Sequence, residues 1–243
     1  MMFCRLVTGS AVILLAACAA PRSSYLTEDP ACARIKALSV SKGASNYVDP
    51  VQAIRVLSEC EAVSKTRPAS ARAALLRMRS IAFEQTKDYT KAIADSEEAL
   101  RLQPPRTAWD VIGLAALYRD AGQPDRALVL LRKMLDDNLG TTGKGTTPGM
   151  PSYYHLGLTL LALEKWAEAA EAFTEGLTYQ PDYAWAYFYR AVAYNGMRDT
   201  DRTRADLVHG KKLVDALNGD SRRKALESLR QDPFVTLMTK YSE

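Results

Sequence analysis

The sequence has few of the residues that carry metal or nucleophilic chemistry. Its 243 residues include two histidines, His155 and His209, and four cysteines. Neither histidine has a serine, cysteine or carboxylate neighbour at a spacing that would assemble a catalytic relay on one helix. No paired metal-ligand motif and no glycine-rich phosphate loop is present in the sequence. We therefore expect no enzyme activity, no cofactor and no metal site.

The chain also lacks a large excess of charge of one sign. Lys and Arg number 32 against 28 Asp and Glu, which gives a net charge of +4. Nucleic-acid-binding domains concentrate basic residues on one face, so this balance gives no reason to expect a nucleic-acid partner. The apolar share of 47% is ordinary for a soluble globular protein and excludes wholesale disorder.

Long hydrophobic runs are missing, except for a short one at the amino terminus. Residues 6–17 form an apolar stretch of 12 residues, whereas a helix that crosses a bilayer needs about 20. This length is typical of the core of a signal peptide. The stretch ends in Leu15-Ala16-Ala17-Cys18, which resembles the lipobox of bacterial lipoproteins.

The lipobox resemblance implies a location for the protein. Residues 1–17 would be the signal peptide, Cys18 would carry acyl chains such as palmitate, and residues 18–29 would form a polar tether. Ala19 stands where an aspartate would retain a lipoprotein in the inner membrane. The resemblance therefore implies a lipid anchor in the outer membrane of a Gram-negative bacterium, with the body in the periplasm. The alternative is an ordinary secretory signal, with Cys18 incidental.

Two cysteines remain in the mature chain once Cys4 is removed with the signal and Cys18 carries lipid. The periplasm is oxidising, and an even number of cysteines there indicates disulfide pairing. We therefore expect a disulfide between Cys32 and Cys60. The alternative is a pair of reduced, buried thiols that act as small apolar side chains.

The rest of the chain repeats at intervals close to 34 residues. Small residues recur as Ala92, Ala127, Ala169 and Thr203, at spacings of 35, 42 and 34. Periods of this kind indicate stacked helical repeats. The second interval is longer than the others, and its surplus falls on a glycine- and threonine-rich stretch, which predicts a flexible loop over residues 142–149.

The residues around these positions resemble the tetratricopeptide repeat, a helix–turn–helix unit of about 34 residues. The copy over residues 150–183 carries Tyr153, Leu156, Gly157, Leu160, Ala169, Phe173, Gly176 and Pro181. Further copies cover residues 73–106, 108–141 and 184–217, so the array runs over 73–217. The resemblance implies an all-α solenoid whose repeats stack into a right-handed superhelix, because no repeat buries its apolar face alone.

Segments outside the four copies are expected to extend the stack at both ends. Residues 30–68 are interpreted as a divergent helical pair, with helices over residues 31–41 and 51–65. Residues 218–243 predict capping helices, because an exposed terminal repeat needs a polar cover. The capping helices are expected over residues 221–230 and 233–241.

In tetratricopeptide repeats the first helices line a concave groove, so the resemblance implies a set of binding residues. These residues are Arg77, Ile81, Trp109, Ile112, Tyr154, His155, Leu158, Trp185, Phe188 and Tyr189. The Lys and Asn side chains with which chaperone-binding relatives hold a terminal carboxylate are missing from these places. We expect a protein or peptide partner with apolar anchors to lie across Trp109, Tyr154, Trp185 and Tyr189.

Alternatives stay open for this groove. Either a partner occupies it, or the terminal residues 233–238 fold back and fill it, or a second copy of the chain does so and forms a homodimer. His155 on the third repeat is then either a binding residue or a structural histidine.

These observations lead to one functional class with two specific roles. The chain is interpreted as a lipid-anchored periplasmic scaffold that mediates protein–protein interactions in the assembly of a pilus or secretion complex. The alternative role is an adaptor for peptidoglycan hydrolases or synthases, and the sequence does not separate the two. A cell-wall enzyme would need acid or nucleophile residues that converge in the groove, and none is visible in the sequence.

Overall fold

Helices account for most of the structure, a computed structural model that describes residues 29–40 and 46–241. The helices are α1 (Pro30–Ala33), α2 (Pro50–Val63), α3 (Ala69–Gln85), α4 (Tyr89–Leu102), α5 (Ala108–Asp120), α6 (Pro124–Asp136), α7 (Gly149–Ala162), α8 (Trp166–Tyr179), α9 (Ala184–Gly196), α10 (Thr200–Asp215), α11 (Gly219–Leu229) and α12 (Phe234–Lys240). The predicted signal peptide, Cys18 and all of the tether but its last residue lie outside the described residues.

Four helical pairs follow one another at the positions of the four expected repeats. The pairs are α3 with α4, α5 with α6, α7 with α8, and α9 with α10, and each pair also packs against the next. One cluster of buried side chains extends from the first pair into the second, and another extends from the second pair into the fourth. The expected all-α stack of helical pairs is confirmed.

The turn inside each pair has the same backbone shape. Lys87, Gly122, Glu164 and Arg198 take left-handed conformations, with φ of 60°, 73°, 56° and 61°. They are spaced like the recurring small residues, and the residue after each donates its amide to a carbonyl five positions back. A left-handed residue that closes a helix in this way favours glycine, because other side chains are crowded there. Only the second pair has glycine at this position.

A small residue on the first helix of the third pair allows the two helices to approach closely. A Cβ atom added to Gly157 would lie 2.6 Å from the ring of Phe173, which is fully buried on α8. Real Cβ atoms do not approach a ring so closely, so any larger residue at this position would push the helices apart. The expected role of Gly157 and Phe173 in the pattern thus has a direct steric basis.

The first helix of the amino-terminal pair is much shorter than the sequence predicts. Instead of a helix over residues 31–41, the structure has one turn of α-helix, a 3-10 turn over Arg34–Ala37, and then extended backbone. Asp29 caps the turn, but Val40 pairs with Tyr47 in a β-bridge. The Gln85 side chain holds the Tyr47 backbone at both its amide and its carbonyl. These hydrogen bonds hold the backbone in an extended conformation in place of the predicted helix.

Cys32 and Cys60 form a disulfide that fastens α1 to α2. Their Cα atoms are 4.6 Å apart, and both side chains are fully buried. Ser64 lies beside them and donates a hydrogen bond of 2.6 Å to the Cys60 carbonyl. The disulfide therefore lies inside a packed cluster that continues into α3.

The long interval between the second and third pairs contains a hairpin as well as a loop. Strands β1 (Leu139–Gly140) and β2 (Gly143–Lys144) pair antiparallel. Leu139 is 4% exposed because its side chain packs into the core cluster of the second pair. This apolar anchor explains why the segment departs from the flexible loop that its glycines and threonines predict.

Two capping helices, α11 and α12, cover the carboxyl-terminal end of the stack. Their bounds lie within one or two residues of the predicted ones. They bury Ala225, Leu229, Phe234 and Leu237 against α9 and α10. Their remaining residues are mostly exposed, and those of α11 are largely charged, as a cover for the last repeat requires.

Candidate binding surface

The structure separates the ten predicted groove residues by exposure. Trp109 is exposed, Ile112 and Phe188 are buried, and Arg77, Ile81, Tyr154, His155, Leu158, Trp185 and Tyr189 are partly buried. They lie on α3, α5, α7 and α9, the first helices of the four pairs. The predicted set therefore divides into an open part, a partly covered part and a core part.

Ile112 and Phe188 belong to the core, so their prediction as groove-surface residues is wrong. Ile112 is 4% exposed and packs within the cluster that joins the first two pairs. Phe188 is fully buried, and its ring lies 5.7 Å from the ring of Phe234. The positional pattern of the repeat marks both residues as groove-facing, but neighbouring elements cover them.

An open cleft of about 250 Å³ lies between α3 and α5. Arg77, Ile81 and Glu84 line it from α3, and Trp109 and Gly113 line it from α5. The Trp109 side chain is 54% exposed, and a Cβ atom added to Gly113 would meet nothing within 4 Å. The cleft thus combines an accessible aromatic face with empty space beside it.

Charges of opposite sign lie two helical turns apart along this cleft. The Arg77 guanidinium is held by the side-chain oxygen of Gln103 at 3.0 Å and by Asp110 at 3.6 Å. At the other end, burial and the nearby Asp120 charge raise the pKa of Glu84. Arg77 is fixed in place before any ligand binds, which limits the side-chain entropy lost on binding.

A cluster of tyrosines occupies the middle of the concave side, between α7 and α9. The Tyr154 ring meets the rings of Tyr183, Tyr189 and Phe173 edge-on, with centroids 5.2, 5.8 and 6.0 Å away. Burial raises the pKa of Tyr154 far above its usual value, and it also raises the pKa of Tyr183 and of Tyr189. The three hydroxyls therefore stay protonated at neutral pH, and the Tyr154 hydroxyl interacts with those of Tyr183 and Tyr189.

His155 and Arg119 lie beside this tyrosine cluster. Burial, with a smaller contribution from the Arg119 charge, lowers the pKa of His155 to about 4, so the imidazole is neutral at pH 7. Its Nδ1 atom and the Nη1 atom of Arg119 are buried and have no hydrogen-bond partner among the described residues.

The carboxyl-terminal helix covers the fourth repeat's part of the groove. The Phe234 ring lies 5.8 Å from the ring of Trp185 and 5.0 Å from that of Tyr189. The structure therefore matches the alternative in which residues 233–238 fold back. A partner surface across Trp185 and Tyr189, as the sequence predicts, is occupied by the chain itself.

Two further contacts fasten this cover and are not foreseen from the sequence. Lys240 and Tyr241 both donate hydrogen bonds of 2.9 Å to the side-chain oxygen of Asn195. These residues are 45 and 46 positions from Asn195, and no motif in the sequence links them. Only the folded arrangement brings them together.

Neither a metal site nor a membrane span is found in the described part of the chain. No group of three or more His, Cys, Asp or Glu side chains within residues 29–40 and 46–241 is placed to hold a metal ion. None of the helices described there has the length and apolar character needed to cross a bilayer.

A family model for the tetratricopeptide repeat matches residues 78–106 and 151–183. The first segment covers the second half of α3 and all of α4, and the second segment covers nearly all of the third helical pair. The fold is a tetratricopeptide-repeat solenoid. Such solenoids typically present their concave surface to protein partners and serve as scaffolds. Among curated proteins, none matches the chain by sequence.

Several solved solenoids are similar to this one at low sequence identity. PilW, described as a widely conserved type IV pilus biogenesis factor, gives a TM-score of 0.58 at 16% identity, over 87% of this chain and 86% of PilW. MamA from Desulfovibrio magneticus RS-1 gives 0.57 at 18% identity, over 79% and 93%. YrrB, described as a TPR protein with an unusual peptide-binding site, gives 0.53 at 15% identity, over 73% and 84%. At these identities the likeness shows the fold alone.

Proposed function

We propose that this solenoid is a lipid-anchored scaffold on the periplasmic side of the outer membrane, and that it binds a protein partner through the cleft between α3 and α5. The observation that carries the proposal is the exposed Trp109 ring beside open space on the concave face. The lipobox-like segment that ends at Cys18 supports the anchor.

The side chains that line the cleft are of the kinds found at the centres of protein–protein interfaces. Truncation of a tryptophan at such a centre costs about 2 kcal/mol or more of binding free energy. Ile81 and Trp109 supply apolar surface, Arg77 and Asp110 form an ion pair at the edge, and Glu84 adds a second carboxylate. A partner segment with an apolar anchor and charged neighbours fits this arrangement.

The role we favour for the scaffold is assembly of a pilus or secretion complex. PilW, a pilus biogenesis factor by its description, has the same architecture over most of both chains, which is consistent with this role. An adaptor for peptidoglycan hydrolases or synthases would use the same cleft. The identity of the bound partner separates the two roles.

Photo-crosslinking in intact cells tests the proposal directly. A crosslinking residue at Trp109 should capture a defined envelope protein, whereas the same residue at Val129, 70% exposed on the second helix of that repeat, should not. Gly113→Phe, which fills the open cleft, should remove the Trp109 adduct while helicity is kept. Equal adducts from Trp109 and Val129, or a Trp109 adduct unaffected by Gly113→Phe, would contradict the proposal.

The mass of the captured protein then decides between the two roles. A component of a pilus or secretion system supports the assembly role. A peptidoglycan hydrolase or synthase as the main adduct would replace that role with the adaptor role.

A further inference from the structure

One of the charged side chains that line the cleft between α3 and α5 has no partner of opposite charge. The charged side chains of this lining are Arg77, Glu84 and Asp110. Arg77 and Asp110 lie 3.6 Å apart and form an ion pair. In the part of the chain that the structure describes, the Glu84 carboxylate makes neither an ion pair nor a hydrogen bond. The cleft therefore carries one negative charge that nothing in the described chain compensates.

The surroundings of Glu84 add negative charge to this end of the cleft. Burial and the charge of Asp120 both raise the pKa of Glu84, whereas a cation at close range would lower it. Asp120 is the last residue of α5, and it too forms no ion pair within residues 29–40 and 46–241. Two carboxylates thus act on the same space.

The cleft has an aromatic end and a negative end. Asp110 pairs with Arg77, so the adjacent Trp109 lies at the Arg77 end. Glu84 follows Arg77 by seven residues on α3, which is two helical turns or roughly 10 Å. The exposed Trp109 ring and the Glu84 carboxylate therefore lie at opposite ends of a cleft of about 250 Å³.

A partner that covers this cleft has to compensate the Glu84 charge. A carboxylate that loses its water without gaining a counter-charge weakens an interface, because its desolvation is costly. A lysine or arginine side chain of the partner supplies the counter-charge, and its methylene groups can pack on the apolar surface of Ile81. This step rests on the proposed function, since it assumes that a partner covers the cleft at Trp109.

We propose that the cleft binds a protein segment that carries an apolar residue and, roughly 10 Å away, a lysine or arginine. The apolar residue packs against Trp109, and the basic side chain pairs with Glu84. In an extended segment the two residues are three positions apart, because each residue adds about 3.3 Å. This charge preference is opposite to that of the Lys and Asn clamp by which chaperone-binding relatives hold a carboxylate.

Four peptides with blocked ends test the preference on the purified full-length protein. Two contain lysine in opposite orders, acetyl-Phe-Gly-Gly-Lys-amide and acetyl-Lys-Gly-Gly-Phe-amide, and two replace the lysine of the first by Gln or Glu. NMR follows the indole signal of Trp109 and the carboxyl carbon of Glu84. One lysine peptide should bind about fivefold more tightly than the Gln peptide, and the Glu peptide should bind most weakly. The bound lysine should also lower the pKa of Glu84.

Three variants show where the preference arises. Glu84→Gln should remove the preference for lysine over glutamine, because the amide keeps the shape of the side chain without its charge. Glu171→Gln is the matched control and should keep the preference, because Glu171 is exposed on α8 and has no ion pair among the described residues. Gly113→Phe should weaken binding of all four peptides, because the added ring fills the cleft.

Equal binding of the lysine and glutamine peptides would overturn the inference, and so would a lysine preference that survives Glu84→Gln. The absence of any shift at Trp109 with all four peptides would overturn it as well. Crosslinking at Trp109 tests the proposed function separately. A Trp109 adduct that forms equally well in Glu84→Gln would leave the scaffold role standing while the charge preference fails.

Discussion

Arg79 and Asp95 are joined by two hydrogen bonds of 2.7 Å, from Nε and Nη2 of the guanidinium to the two carboxylate oxygens. Arg190 and Asp206 make the same pair in the fourth repeat, at 2.7 and 2.8 Å. In both pairs the two residues are 16 positions apart and the carboxylate is buried. In the first and fourth repeats an ion pair thus joins the two helices. The second and third repeats have apolar side chains at the same positions.

The third repeat supplies a matched replacement for this ion pair, with Leu156 and Ala172 at the corresponding positions. We expect Arg190→Leu to lower the free energy of unfolding by about 3 kcal/mol, because Asp206 then stays buried without its partner. The double variant Arg190→Leu with Asp206→Ala should recover most of the loss. Urea unfolding of the three proteins measures this, and a double variant no more stable than the single one would contradict it.

The left-handed turn residues predict opposite effects of glycine in two repeats. Glu164→Gly should raise the free energy of unfolding by about 0.5–1 kcal/mol, because glycine removes the crowding of a side chain at positive φ. Gly122→Ala should lower it by about 1 kcal/mol for the reverse reason. Thermal or urea unfolding distinguishes the two signs, and the same sign for both variants would rule out a turn-based explanation.

Phe234 is expected to control access to the aromatic surface of the fourth repeat. Phe234→Ala should lower the free energy of unfolding by about 3 kcal/mol and expose Trp185, which it covers. Fluorescence of a protein in which Trp109 and Trp166 are replaced by Phe reports Trp185 alone, and its emission should shift to longer wavelength. Val235→Ala, at a side chain 39% exposed, is the control and should leave the emission in place.

His155 is expected to make stability depend on pH in a defined window. Its folded-state pKa of about 4 lies below its unfolded value of about 6.5. The stability that comes from the neutral imidazole is therefore complete above about pH 6.5 and is lost as pH falls toward 4. At about pH 5 the loss should be on the order of 2 kcal/mol.

His155→Gln removes this titration and gives the comparison. The difference in urea midpoint between neutral pH and about pH 5 should be smaller in the variant than in the original protein. Carboxylates that titrate in both proteins cancel in the comparison. An identical pH dependence of the two would show that His155 gains no protons on unfolding.

Cys18→Ser tests the proposed anchor. The hydroxyl of serine is not acylated, so the protein should leave the membrane fraction or accumulate with its signal still attached. Fractionation with mass analysis of the amino terminus measures both outcomes. Normal cleavage together with continued membrane association of Cys18→Ser would show that Cys18 is not the point of attachment.

The period of the chain predicts the helical pairs because the small residues that permit close helix packing must recur with the pair. The helices of a pair approach each other closely at Ala92, Ala169 and Gly157. The recurring small residues therefore predict the positions of helix–helix contact. Arg79 and Arg190 occupy equivalent places in the first and fourth repeats, which the sequence also shows. Their carboxylate partners, 16 residues further on, are identified only once the two helices face each other.

The candidate site was less predictable, because exposure depends on what packs over each position. Phe188 and Ile112 occupy groove positions by pattern, yet the carboxyl-terminal helix covers Phe188 and neighbouring helices enclose Ile112. The lack of a hydrogen-bond partner for the Arg119 Nη1 atom among the described residues likewise depends on how neighbouring helices pack. Sequence spacing reports on contacts within a repeat and carries little information about contacts between distant ends of the chain.

The Cys32–Cys60 bond determines how a mechanical pull on the chain before Asp29 would enter the fold. Tension arriving at Cys32 passes through the covalent bond to Cys60 in α2, so the intervening chain carries none of it. The two cysteines are 28 positions apart. Without the disulfide, a chain segment of that length would reach roughly 90 Å when fully extended. The oxidised protein therefore transmits a pull on its amino terminus directly into α2, which packs in the same buried cluster as Cys32.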